Sequence, residues 1–196
     1  MIPFFIFLAL IAALIVWGIA IYNRLVQLRN RLPNAWAQID VQLKRRHDLI
    51  PNLVQVAARY LKHEQETLQA VTAARGQAQG LLEAARHTPA SAAAITQLAA
   101  GEAALMGSLG RLLAVAEAYP ALKANEQMRA LSEEITSTEN RVGFARQAYN
   151  DAVLDLNNAL QAFPAVIIAR LCGFEVAAPM QSTASQAERA APQVRF

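Results

Sequence analysis

Residues Ile2 to Ile21 form an unbroken apolar run with no charged side chain, ended by Tyr22-Asn23-Arg24. At about 1.5 Å per helical residue, roughly 20 such residues reach about 30 Å, the hydrocarbon thickness of a bilayer. Trp17 and Tyr22 lie near the end of the run, where amphipathic rings favour the headgroup layer. A cleaved secretory signal would carry Lys or Arg ahead of a shorter apolar core, whereas this chain opens Met1-Ile2-Pro3-Phe4. The segment therefore reads as an uncleaved transmembrane anchor over residues 1–22, meeting the lipid bilayer through residues 2–21. Nothing basic precedes it, while Arg24, Arg29 and Arg31 follow at once and Lys44, Arg45 and Arg46 come a little later. Basic flanks stay inside, so the expected placement is a single pass with the N-terminus outside and the body in the cytoplasm.

The 196 residues leave room beyond the anchor for one domain of ordinary size, expected over 23–175. The net charge of +3 is unevenly spread: Tyr22 to Arg46 holds six basic residues against the single acid Asp40. No aromatic or Gly-rich RNA signature accompanies that excess, so nucleic acid is not an expected partner. Cys172 is the only cysteine, which excludes an internal disulfide and a cysteine cluster for zinc or iron-sulfur chemistry.

Beyond the anchor, Ala, Leu, Gln, Glu and Arg dominate with hardly a β-branched run, which points to an all-α body. Met128, Leu131, Ile135, Thr138, Val142, Ala145, Tyr149, Ala152, Leu156, Ala159 and Phe163 alternate three and four apart, the seam of a long packed helix. Ile95, Leu98, Leu105, Leu109, Leu112, Ala116 and Tyr119 keep the same period after Thr88-Pro89-Ala90-Ser91, where Ser91 suits an N-cap. Tyr119-Pro120 predicts a tight corner. Another stripe, Trp36, Ile39, Leu43, Ile50, Val54, Ala57, Leu61, Leu68 and Val71, predicts a helix from about Pro33 towards Ala85. Pro51 falls inside it and predicts a kink or a change of helix near Asp48. The predicted architecture is an N-terminal transmembrane helix followed by an elongated antiparallel bundle of three to four long helices. A short apolar piece, Ala165 to Phe174, has its place open between the bundle and the membrane surface. The Ser-, Gln- and Ala-rich tail, residues 176–196, is expected to be disordered.

Chemistry-bearing patterns are sparse. His47, His63 and His87 never pair at three or four residues, and neither His-Glu-x-x-His nor a di-iron Glu-x-x-His occurs. Ser108 lacks a nucleophile elbow, and Gly107 and Gly110 read as close helix contact or local weakness. No catalytic, cofactor-binding or metal residue is expected, and no enzymatic activity. The densest polar cluster, Asp40, Lys44, Arg45, Arg46, His47, Asp48 and Asn52, reads either as a solvated face with ion pairs such as Asp40 with Lys44 or as a recognition face. Lys44 is about 33 Å from Tyr22 along an unbroken helix, which argues against simple lipid binding unless the chain bends at Pro33. A second set comprises Glu139, Asn140, Arg141, Arg146, Tyr149 and Asn150. Its Asn150, with Asn157 one heptad on, reads as a buried amide that fixes helix register, ligand binding being the alternative.

The run Ala35-Trp36-Ala37-Gln38-Ile39-Asp40-Val41-Gln42-Leu43-Lys44-Arg45-Arg46-His47-Asp48-Leu49-Ile50-Pro51-Asn52 resembles the LemA family. So do Tyr60, His63-Glu64, Ala116 to Pro120, Leu122 to Glu126, Thr138 to Arg141, Tyr149 to Val153, Phe163-Pro164 and Gly173-Phe174. The resemblance covers about Ile21 to Phe174. It implies a bacterial inner-membrane protein with one N-terminal span and a cytoplasmic helical bundle, from a family without an established enzymatic activity. One relative takes part in assembling the magnetosome membrane compartment. Leu156-Asn157 stands where the family usually repeats Tyr-Asn. The expected function is a membrane-anchored scaffold or adaptor that offers the two polar sets to an unidentified membrane or cytoplasmic protein or to copies of itself. The alternative is a regulatory accessory of a membrane protease or signalling system, acting through its span.

Overall fold

The computed structural model of the chain describes residues 2–87 and 91–180. It is all-α, with α1 (Ile2–Ala58), α2 (Gln65–His87), α3 (Ala92–Glu117), a one-turn α4 (Pro120–Lys123), α5 (Glu126–Gln161) and α6 (Ala165–Leu171). Helix α1 joins the apolar run to the body without interruption; its 57 residues reach about 85 Å. The run is long and apolar enough to cross a membrane, and its side chains face outward. Helix α3 meets the same measure of length and composition, but its Leu stripe is packed inside the body.

Pro33 and Pro51 both lie inside α1, so the change of helix expected as one outcome at Pro51 is corrected. A helical proline leaves the carbonyl four residues earlier without its donor. For Pro51 that carbonyl belongs to His47, and Arg75 of α2 donates its Nε–H to it at 2.7 Å. The missing bond is thus supplied from a neighbouring helix. The break falls instead at 59–64, so the helix expected to run towards Ala85 is two helices. Nothing local marks that turn: buried Leu61 plugs the core, Asn125 donates to the Tyr60 hydroxyl, and the Tyr119 hydroxyl donates to Glu64.

Helices α1 and α5 pair antiparallel: Leu25 and Leu28 share a cluster with Leu156 and Leu160, Trp36 meets Tyr149 edge to face, and Arg45 reaches Glu134. Helices α2 and α3 form a hairpin beside the far half of α1. There they enclose Ile50, Leu53, Leu105, Leu109, Leu112 and Ile135. The far half is therefore a four-helix bundle, while the half nearer the apolar run is a neck of α1 and α5 on which α6 and the residues after it pack. The expected cap and corner are present: the Ser91 hydroxyl accepts from the Ala94 amide, and Pro120 opens α4. Residues 88–90 of the expected turn lie outside the described residues.

The α5 seam holds as far as Tyr149 and then moves to Val153, Leu156 and Leu160. A straight helix drifts from a strict heptad by about 20° per repeat, so Ala152 and Ala159 give way to their neighbours. Phe163 lies beyond the helix and is exposed. Helix α6 ends in a Schellman turn: Gly173 takes a positive φ of 68°, and the Phe174 amide donates to the Ala169 carbonyl at 2.9 Å. The expected disordered tail is corrected over its first residues, because Val176 to Met180 doubles back along the neck and Met180 is buried. Residues 181–196 lie outside the described residues.

Candidate functional site

In two helices the apolar stripe skips a rung. On α1 it passes from Leu43 to Ile50, and on α3 from Leu98 to Leu105. The skipped positions hold Arg46 with His47 and Gly101 with Glu102, and they meet inside the bundle. Arg46 is 1% exposed and His47 2%. One guanidinium nitrogen of Arg46 donates to Glu102 and another to Glu139 of α5, while His47 Nε2 lies 2.9 Å from Glu102 Oε1. Arg146 Nη2 approaches the other Glu139 oxygen at 3.7 Å. Two cations and two carboxylates from three helices thus balance around one histidine. Gly101 lets α2 come close: a Cβ there would stand 2.5 Å from Leu81 Cδ1. Gly107 and Gly110 have open space around them, so close contact is not their role.

Burial pushes the Glu102 carboxyl up, but the hydrogen bond with His47 and the Arg46 charge outweigh it and hold the group below the usual carboxylate range. Burial likewise lowers the Arg46 guanidinium from its ordinary value, against the opposing pull of Glu102. A group of opposite charges matched in this way costs desolvation to form and more to break. Its chemistry is that of a fixed joint. Ser108 is spent similarly, its hydroxyl bonded to the Leu105 carbonyl.

The sequence-predicted contact residues therefore separate. Arg46 and His47 are corrected from surface to core, Glu139 and Arg146 serve the same network, and Tyr149 is 3% exposed against Trp36. Asn150 is corrected from a register amide to a clamp. Its Nδ2 donates to the Met180 carbonyl and its Oδ1 accepts from the Met180 amide, both at 2.8 Å. Asn157 does the same to Ala177 at 2.9 Å in each direction. Seven helical residues advance about 10.5 Å, and three residues of extended chain about 10 Å, so the two amides fall opposite alternate grips on the returning strap. The Tyr149 hydroxyl adds a bond to the Ala178 carbonyl at 3.3 Å.

What remains outside is a groove along α1 lined by Asp40, Val41, Lys44, Arg45, Asp48 and Asn52. Arg86 of α2 closes one side, donating to Asp40 and to Glu83, and Arg45 pairs with Glu134 on the other. The expected pair of Asp40 with Lys44 gives way to Arg86, which reaches from the adjacent helix. Among the described residues Lys44, Asp48 and Asn52 carry no side-chain bond, and Asn140 and Arg141 are exposed on α5. Also among the described residues, no group of three or more His, Cys, Asp or Glu is placed to hold a metal ion.

A LemA family model matches residues 35–196, which contain the charge network, the clamp and the groove. The chain belongs to the LemA family. No curated protein matches it. The residues that carry the resemblance are mostly structural in this chain: Arg46, His47 and Glu139 build the ionic joint, Tyr60, Glu64, Tyr119 and Asn125 tie the far corner, and Tyr149 and Asn150 hold the strap. Leu156 is buried between α1 and α5. Glu102 is the residue that sequence reasoning missed, and the empty rung in the α3 stripe was its signal.

Proposed function

We propose that the protein is a non-enzymatic, single-pass membrane adaptor that holds a rigid helical body at a fixed height on the cytoplasmic face of the inner membrane. The observation that carries this reading is the continuity of α1, in which one helix is both the apolar run and the wall of the groove. Residues 41–52 then stand about 30 to 45 Å beyond the apolar run, well outside the reach of membrane surface potential. The residues offered to a partner protein are Asp40, Lys44, Arg45, Asp48 and Asn52 on α1, with Asn140 and Arg141 on α5 as a separate exposed set. Cytoplasmic placement rests on the basic residues that follow the run.

Cross-linking of intact membranes, followed by isolation of the protein, tests the proposal with Lys44→Glu and Asp48→Lys in parallel. Loss of a specific cross-linked protein, with helicity and membrane extraction unchanged, is the expected result. An unchanged cross-linking pattern contradicts it. The second reading, an accessory that acts through its span, draws on the outward-facing side chains of the apolar run. Replacing Phe4 to Trp17 with an unrelated apolar helix separates the two readings, because the adaptor keeps its partner and the accessory loses it.

A further inference from the structure

Helix α6 sits where the neck meets the apolar run. The 36 residues of α5 reach about 54 Å, which returns the chain from the far corner to the level of Leu25 and Leu28. The chain then turns by 96°, so α6 runs across the α1–α5 axis. Its inner face is committed. Ile168 Cδ1 lies 3.9 Å from where a Cβ on Gly18 would be, inside the apolar run, and Ala169 is buried with Leu25, Leu156 and Leu160. Beyond the Schellman turn, Phe174 packs edge to face on Tyr22 and under the Arg29 guanidinium.

The outer face has no partner in the chain. Ile167 is 52% exposed and Leu171 81%, and their spacing of four puts them along one line of α6, while Phe163, 83% exposed, stands in the turn just before it. This apolar line is continuous with the outward-facing side chains of Ile2–Ile21, because α6 touches α1 at Gly18. Arg170 on α6 and Arg24 and Arg29 on α1 border it with positive charge, as suits anionic headgroups.

We propose that α6 is an interfacial helix that lies in the plane of the bilayer surface, with Phe163, Ile167 and Leu171 inserted at the headgroup–acyl boundary beside the point where α1 enters the membrane. The inference rests on the reading of the apolar run as a membrane span. The neck is then held by two attachments to the same leaflet, which restrains tilting of the body.

The single cysteine provides the test, since exposed Cys172 directly follows Leu171. Full-length protein is labelled there with an environment-sensitive fluorophore and placed in mixed phosphatidylcholine–phosphatidylglycerol nanodiscs, with nitroxide-bearing lipids as quenchers. Trp17 fluorescence reports the span independently, because the other tryptophan, Trp36, is buried in the neck. The expected result is quenching of Trp17 and Cys172 alike by shallow nitroxides, since α6 packs beside Gly18, whereas a label on Lys44→Cys in a Cys172→Ser background stays unquenched. Ile167→Glu with Leu171→Glu should lower quenching at Cys172 at least twofold and leave Trp17 quenching and helicity unchanged. Quenching of Trp17 without quenching of Cys172 overturns the proposal and leaves the anchor intact, as does cross-linking of Cys172 between two copies in place of lipid quenching. Absence of quenching at Trp17 overturns the anchor and this proposal together.

Discussion

The bundle and the neck of this protein solve the same packing problem with different materials. In the bundle four helices close around one another, and among the described residues its buried charges gather at one level, where Arg46, Glu102, Glu139 and His47 meet. In the neck two helices leave an open side, which is filled by a backbone strap gripped by Asn150 and Asn157. Charges suit the enclosed level because several helices bring compensating partners to it. Amides suit the open side because a side-chain amide offers both a donor and an acceptor, the pair that a peptide group needs.

The contrast yields its largest test at the charge network. Removing one member of a buried ion pair typically costs about 3–5 kcal/mol, so Glu102→Ala is expected to lower the thermal midpoint of the bundle by about 10 °C. A midpoint within about 1 °C of the parent, read by circular dichroism, would show that the network is not structural. The double substitution Asn150→Ala with Asn157→Ala should instead act locally, at about 1–3 kcal/mol for the polar groups left unpaired. Hydrogen exchange should then accelerate at the Ala177 and Met180 amides while bundle amides keep their protection. Uniform acceleration throughout would mean that neck and bundle are one cooperative unit.

Smaller still is the effect of Arg75→Gln, about 1 kcal/mol or a little more, since it frees only the His47 carbonyl. Pro51→Ala restores the intrahelical donor to that carbonyl, so in the double mutant the cost of losing Arg75 should largely vanish. Additive costs in this cycle would mean that Arg75 does not stand in for the proline. The gentlest probe is pH. Glu102 has a folded pKa below its unfolded value, so its contribution is complete above about pH 4.3 and is lost as pH falls through the folded value. Acid should therefore lower the bundle's midpoint more in the parent than in Glu102→Gln.

How much of this was legible follows the same division. Periodicity alone located the interior of α3 from Ile95 to Ala116 and of α5 from Met128 to Tyr149, because apolar burial repeats with the helix. The four-residue polar run Lys44 to His47 looked like a surface, yet its third and fourth members occupy the missing rung of the stripe and point inward. A gap in a regular stripe carries more information than the local density of charge. Pro51 misled because its effect on a helix depends on Arg75, a residue far away in sequence. The turn at 59–64 was invisible for a similar reason: its side-chain bonds come from Tyr119 and Asn125. The strap was hidden because a backbone that pairs with asparagine amides needs no apolar pattern of its own.

The adaptor reading requires α1 to be one stiff arm from the apolar run into the bundle. Pulsed electron–electron resonance between nitroxides at Tyr22→Cys and Asn52→Cys, in a Cys172→Ser background in nanodiscs, measures it directly. Thirty helical residues separate the two sites, so the account expects a single narrow distribution near 45 Å, widened only by the label arms. A broad distribution, or one centred well below that distance, would place a hinge at Pro33 and contradict the stiff arm.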